Sequence, residues 1–296
     1  MAAYPQLVLT LVISISMVSC RSDSSDQSAS EATRTDQPAV PEEKQPTVVV
    51  LFDNPQIGDF FFEWANIRTD TTANGRRLVY GWLGQYAGMT GVHGIADAEA
   101  VTQFMIDTYQ PIEIIHVGLG VGSDPSYLLG DVVIPKSWRA YYRVNRWSEQ
   151  NVDTVLLGTE QVGAKPGVLD LAIDSALHAR LDSAAQLIAF RLRSVERRLP
   201  EIYDDGVGFS LHGFEDSPQA RMQMHGAEQA SLVDSTAAGV IRVAQRHSIP
   251  VASVQSCFIF PTGNLSPTDV GHWKALEYAC AWNTAMVVRE YLEREW

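Results

Sequence analysis

Thr47 to Phe52, TVVVLF, is apolar or β-branched at every position and is bounded by polar and proline residues. A strand with no polar face is buried on both sides, as in a parallel sheet covered by helices. Ile112–Gly118 (IEIIHVG), Asp131–Pro135 (DVVIP) and Pro250–Cys257 (PVASVQSC) read as further buried strands. Ile95 to Thr108 reads as a helix. Leu169, Ile173, Leu177 and Leu181 fall at i, i+4 spacing and predict one apolar stripe of a long helix. Asp234 suits the cap of a helix running to about Gln245. For the last helix, Ser266 suits the N-cap, Pro267 the first helical position and Asp269 the third. Trp273, Leu276, Cys280, Val287 and Tyr291 then supply its inner face. The predicted fold class is α/β: a single domain with a mostly parallel central sheet covered by helices on both sides.

That domain is expected to span residues 46–296. Leu7 to Val18 is an apolar run of signal-peptide length, too short to span a bilayer comfortably. It ends in SISMVSC, which resembles a bacterial lipobox, so residues 1–20 are read as a signal peptide with Cys20 as the lipidated residue. Two features depart from that pattern: the leading MAAYPQ has no Lys or Arg, and Met17 is bulky for the box. Residues 21–45 are rich in Ser, Asp, Glu and Pro and bury too little apolar surface to fold, so they are expected to form a disordered tether. The expected location is the bacterial cell envelope, with membrane contact only through the lipid.

The formal net charge is −13, and residues 46–296 hold 19 basic against 29 acidic side chains, a net −10. A domain this acidic lacks the electrostatic footprint of a nucleic-acid binder and is repelled by anionic membrane surfaces. A small ligand is the better expectation. Cys20, Cys257 and Cys280 form no CxxC, and HExxH, GxxxxGK[ST] and GxSxG are all absent. Neither a metal nor a cofactor is expected. Cys257 and Cys280 are expected to remain free thiols, since a domain of this size needs no staple.

His116 to Gly122, HVGLGVG, places glycines where a ligand can approach the backbone. A dinucleotide fingerprint would need a glycine at Ser123 and a helix where Pro125 stands, so that reading is set aside. In its longer context, Ile114 to Trp138 (IIHVGLGVGSDPSYLLGDVVIPKSW) resembles the nucleoside phosphorylase and nucleosidase superfamily, which reads approximately G-x-A-G-G…x-G-D-V-V-I. The match is closest to the bark-storage-protein branch, through Gly130, Asp131, Val132, Ile134, Pro135 and Trp138. Other segments follow in the family's order. Gly94 to Ala98 resembles G-x-x-N-A, and Ser210 to Phe214 keeps the ends of S-G-D-x-F. Val233 to Ala238 resembles V-D-M-E-x-A, Ile249 to Gln255 the strand after it, and Ala281-Trp282-Asn283 the A-x-N near the C-terminus.

The resemblance implies a nucleoside-like ligand lying against Gly118, Gly120, Val121 and Gly122, with Phe214 stacking on the base and Ser235 and Thr236 on the ribose side. It also implies a homo-oligomer. N-glycosidic cleavage needs an acid for the base, a group holding the ribose hydroxyls and an activated water or phosphate. Carried over residue by residue, the family's acid falls on Ile259, its ribose glutamate on Thr236, and its water-activating glutamate near Gln56. Val121 replaces a glycine of the family's turn, and the expectation is a binding protein with the usual catalytic residues replaced. Two alternatives stand beside it. One is an active enzyme with a rearranged set, in which Asp53, Asp97 or Glu215 supplies the carboxyl group. The other is a fold reused for storage or surface interaction. His93, His212 and His225 have no spacing that marks a triad or metal site, and Thr236 can bond either a sugar hydroxyl or its own backbone. Trp138, Tyr141, Tyr142 and Trp147 are expected to pack or to line a pocket mouth or interface.

Overall fold

The computed structural model describes residues 45–53, 56–58, 60, 74–83, 94–141, 168–195, 198–211, 218–259 and 270–294. Strands β1 (Thr47–Phe52), β2 (Arg77–Trp82) and β3 (Glu113–Gly122) pair in parallel, with β1 between the other two. β10 (Val251–Ile259) lies parallel on the other side of β3. The sheet continues through β9 (Ala230–Asp234), β8 (Val207–Leu211), β5 (Ser137–Tyr141) and β6 (Val168–Ala172) on one side. On the other side come the short β4 (Val132–Val133) and β7 (Ile202–Tyr203). Among the described residues six pairings are parallel and three antiparallel, the latter being β3 with β9, β4 with β10, and β5 with β6.

The polar-free run of β1 behaves as its sequence demands. Val48, Val50 and Phe52 pack on one face with helices α2 (Ser175–Ile188) and α5 (Val270–Glu293). Val49 and Leu51 pack on the other with α1 (Ile95–Tyr109) and α4 (Ala237–Arg246). A fifth helix, α3 (Pro218–Glu228), contacts β9. Each sheet face thus buries alternate residues of the same strands, and the two-sided cover is in place. None of the described helices is long and apolar enough to cross a membrane.

Two expectations are corrected. The stripe from Leu169 to Leu181 is not one helix. Leu169 lies in β6, paired antiparallel with β5, and α2 begins only after Asp174, whose carboxylate accepts from Leu177 N at 2.7 Å. The i, i+4 spacing crossed a strand and its turn, and the capping carboxylate decided the helix start. Secondly, β3 does not end at Gly118 but runs on to Gly122. The helix-start chemistry at Ser266, Pro267 and Asp269, and the side chain of Trp273, lie outside the described residues. Cys280, Val287 and Tyr291 are buried in α5 as expected, and Leu276 is half-buried.

The family-like stretch around Asp131 is a joint. The buried Asp131 carboxylate accepts from Leu128 N at 2.7 Å, from Glu201 N at 2.8 Å and from both terminal nitrogens of Arg198. Asn283 on α5 donates to Gly130 O at 2.8 Å and accepts from Arg193 N at 2.7 Å. Asp131 and Asn283 together clamp the turn before β4 to the last helix. Cys257 and Cys280 are free and buried, with the Cys280 thiol 3.3 Å from Cys257 O.

Candidate active site

The strand register brings a polar cluster together at the carboxyl end of the sheet. Phe52 pairs with Val117, so Asp53, the residue after β1, falls beside Gly118 on β3. On the other side of β3, Ser253 pairs with His116 and Gln255 with Gly118. His116, Gly118, Ser253 and Gln255 therefore share one sheet face by the period of two. Asp234 ends β9 and pairs with Ser210 on β8. Thr236 follows at the N-terminus of α4.

Asp234 is anchored by four donors. They are Ser210 Oγ, Gln255 Nε2 at 2.8 Å, Ala237 N at 3.0 Å and Thr236 N at 3.3 Å. Two of them are amides at the start of α4, whose N-cap is Thr236 and not Asp234 as expected, so Asp234 reaches the helix start from two residues before the cap. Burial nevertheless pushes Asp234 up to about 6, with those hydrogen bonds holding it back. Asp53 accepts from Leu119 N at 3.3 Å. Burial, and then the charge of Asp234, raise its carboxyl well above the ordinary range. His116 bonds Ser253 Oγ at 2.9 Å through Nδ1 and Thr236 Oγ1 at 3.1 Å through Nε2. Burial pushes it down to about 3, so it is a neutral imidazole.

Gly118 is the point where the cluster converges. A Cβ there would lie 2.4 Å from Asp53 Oδ2 and 2.8 Å from Gln255 Oε1. Only glycine leaves room for both oxygens. At Gly120 a Cβ would strike the Leu232 side chain at 2.6 Å, so this glycine serves packing between β3 and β9. Val121 and Gly122 are buried and pair with Val233 and Leu232. Ser235 is half-buried beside Asp234. Thr236 turns its hydroxyl to His116, settling the choice between a sugar and its own backbone differently from either. Ile259 ends β10 opposite Val121, at the same edge of the sheet. Asp97 lies in the first turn of α1. Phe214, Glu215, His93, His212, Tyr142 and Trp147, and the side chain of Tyr141, lie outside the described residues. Trp138 is fully buried core. His225 bonds Ala230 O at 2.8 Å, a local backbone contact.

One ligand atom from each of Asp53, His116 and Asp234 lies within 4.8 Å of the others, a donor set that could face a cation. The four donors on Asp234 already occupy its lone pairs, which weighs against that use. At the opposite edge of the sheet a cavity of about 540 Å³ is lined by Arg76, Glu113, Arg180 and Tyr291 among others. Its charges are tied to one another, with Glu113 Oε1 2.8 Å from Arg76 and 2.8 Å from Tyr291 Oη. In open α/β sheets ligands bind beyond the carboxyl ends of the strands, which favours the Asp53 cluster over this cavity.

The sequence profile described as "Phosphorylase superfamily" matches residues 47–291, nearly all of the region just described. The chain belongs to the phosphorylase superfamily. No curated protein matches it in sequence. Among solved structures, this phosphorylase-superfamily chain is similar to futalosine hydrolase of Helicobacter pylori, at 12% identity and TM-score 0.63, over 84% of this chain and 98% of that one. It is similar at 13% identity and TM-score 0.63 to the 5′-methylthioadenosine/S-adenosylhomocysteine nucleosidase of the same organism, over 85% of this chain and 99% of that one. The corresponding nucleosidase of Neisseria meningitidis gives 18% identity and TM-score 0.60, over 83% and 98% of the two chains. At these identities the likeness is one of fold.

Proposed function

We propose that this phosphorylase-superfamily protein binds a nucleoside-like small molecule at the carboxyl edge of its sheet and cleaves the N-glycosidic bond slowly, with Asp53 as the acid. The observation that carries the reading is the pair of neighbouring carboxyls at that edge, Asp234 buried and Asp53 half-buried, whose environments differ. Asp234 is surrounded by donors that suit an anion, whereas Asp53 has only backbone donors among the described residues, with Leu119 N at 3.3 Å, and a negative neighbour. Two carboxyls pushed apart in this way divide the acid and anion roles between them. The step balances. As the C1′–N bond breaks, its electron pair passes to the base and the Asp53 proton goes to a base nitrogen. Water adds to C1′ and releases a proton that restores neutral Asp53.

Slow turnover follows from what the family's motif positions now hold. Ile259 transfers no proton, and Thr236 carries no charge to stabilise a ribosyl cation. The proteins of similar fold are named a futalosine hydrolase and a 5′-methylthioadenosine/S-adenosylhomocysteine nucleosidase, and the nucleosidase name supports a nucleoside-like substrate. The same replacements favour a second reading, a binding or storage protein with no turnover at all. We also propose that the chain is exported and held in the cell envelope by lipid on Cys20, on the strength of the lipobox-like SISMVSC and the polar segment after it.

Calorimetry against a nucleoside panel, paired with base-release kinetics with and without phosphate, tests the proposal. Binding with slow release, and faster release in Ile259→Asp, is expected. Binding with no release in either protein would favour the second reading, and no binding to any nucleoside would overturn both.

A further inference from the structure

Gln255 presents an unresolved polarity. It is fully buried, and its Nε2 donates to Asp234 at 2.8 Å. Among the described residues its Oε1 has no hydrogen-bond partner, and it lies beside Gly118 on the same side as Asp53 Oδ2. The buried acceptor is Gln255 Oε1, and a proton on the half-buried Asp53 would satisfy it, whereas an unsatisfied buried polar atom costs about 1–3 kcal/mol. Rotating the amide by half a turn does not remove the conflict. It would set Oε1 against the Asp234 carboxylate and the NH₂ toward Asp53. One amide orientation therefore goes with a proton on Asp53, and the other with a proton on Asp234.

The neighbours decide between them. Asp234 has Ser210 Oγ, Ala237 N and Thr236 N even without Gln255, and these favour its anion. Asp53 has Leu119 N at 3.3 Å. Among the described residues the titratable groups facing Asp53 are Asp234 from β9 and His116 from β3, while β10 contributes the neutral Ser253 and Gln255. His116 is also held neutral by its burial, so neither strand offers Asp53 a positive partner.

We infer that Gln255 is a positioning residue whose amide, oriented by Asp234, confines the one proton of the Asp53–Asp234 pair to Asp53. The proton sits on Asp53 Oδ2 and is donated to Gln255 Oε1. Asp234 stays ionised, and the pair carries one negative charge at neutral pH. This deepens the proposed function and rests on it only for its consequence on turnover.

The test reads the proton directly, by infrared difference spectroscopy on the full-length protein at pH 7. Wild type should show the carbonyl stretch of a protonated carboxyl. Asp53→Asn should lack it, because the Asn NH₂ takes over the donation to Gln255 Oε1. In Gln255→Met the amide is gone, and the band should titrate away with a midpoint about one unit lower, a tenfold change in the proton equilibrium. A band that survives in Asp53→Asn would place the proton on Asp234 and overturn the inference. Absence of the band in wild type would also overturn it. So would a wild-type band that disappears when Mn²⁺ or Zn²⁺ binds one-to-one at micromolar concentration, since the gap would then be a cation site. An unchanged midpoint in Gln255→Met would show that the amide does not position the proton. If wild type showed the band but released no base from any nucleoside, only the proposed activity would fall.

Discussion

Ser210→Ala separates the electrostatic role of the cluster from ordinary packing. The Ser210 hydroxyl is fully buried, donates to Asp234 Oδ1 and accepts from Ala238 N at 2.8 Å. Folded Asp234 titrates near 6 against an ordinary 3.8, so the native state holds an extra proton between those values. The sign follows. The stability this group contributes is fully present below about pH 3.8 and is lost as pH rises through about 6. For Asp234, which is 2% exposed, that loss is about 3 kcal/mol. Removing Ser210 takes away a donor to the anion, which raises the folded value further and enlarges the loss. A hydrogen bond to a charged group is worth about 1.5–3 kcal/mol and a neutral one about 1. Orphaning Ala238 N adds a cost at every pH. Ser210→Ala should therefore destabilise by about 3 kcal/mol at pH 8 and by about 2 kcal/mol at pH 4.5. Urea unfolding of variant and wild type at the two pH values measures the difference. An equal loss at both would mean that the Ser210 bond does not respond to the charge of Asp234, and the electrostatic account of the cluster would fail.

Gly118→Ala places a Cβ against Asp53 Oδ2 and Gln255 Oε1 and should cost about 1–3 kcal/mol in the unfolding free energy, with loss of ligand binding by calorimetry. Asn283→Ala removes the clamp between the turn before β4 and α5, and should lower stability by about 2–3 kcal/mol in denaturant unfolding without altering the infrared signature of Asp53. Metabolic labelling with a fatty-acid analogue should mark the wild-type protein and leave Cys20→Ala unmarked, and equal labelling would contradict lipid attachment there.

Sequence carried the architecture where burial and periodicity agreed. TVVVLF could only be a covered strand, and α1 and α4 match their predicted spans to within a residue or two. It misled where two elements shared one spacing, as at Leu169 and Leu177, because i, i+4 recurrence does not register a turn at Ile173–Asp174. The site was legible only in pieces. Asp53 was named as a spare carboxyl and Gly118 as a ligand contact, but their juxtaposition depends on strand register. His116, Ser253 and Gln255 were missed as members of one group. A signal existed: polar side chains inside the apolar runs IIHVG and PVASVQSC must be satisfied, and residues two apart in a strand face the same way. What pairs across strands is set by long-range packing, so sequence alone could not say that Gln255 faces Asp234.

Single-turnover base release by wild type and Asp53→Asn, each saturated with the best-bound nucleoside, tests the central claim most directly. Asn keeps the shape of the neutral carboxyl and the donation to Gln255, but it has no proton to give. Loss of one positioned acid lowers the rate by roughly 10²–10⁴, and that fall is expected with little change in ligand affinity. Equal release rates in the two proteins would contradict the assignment of Asp53 as the acid.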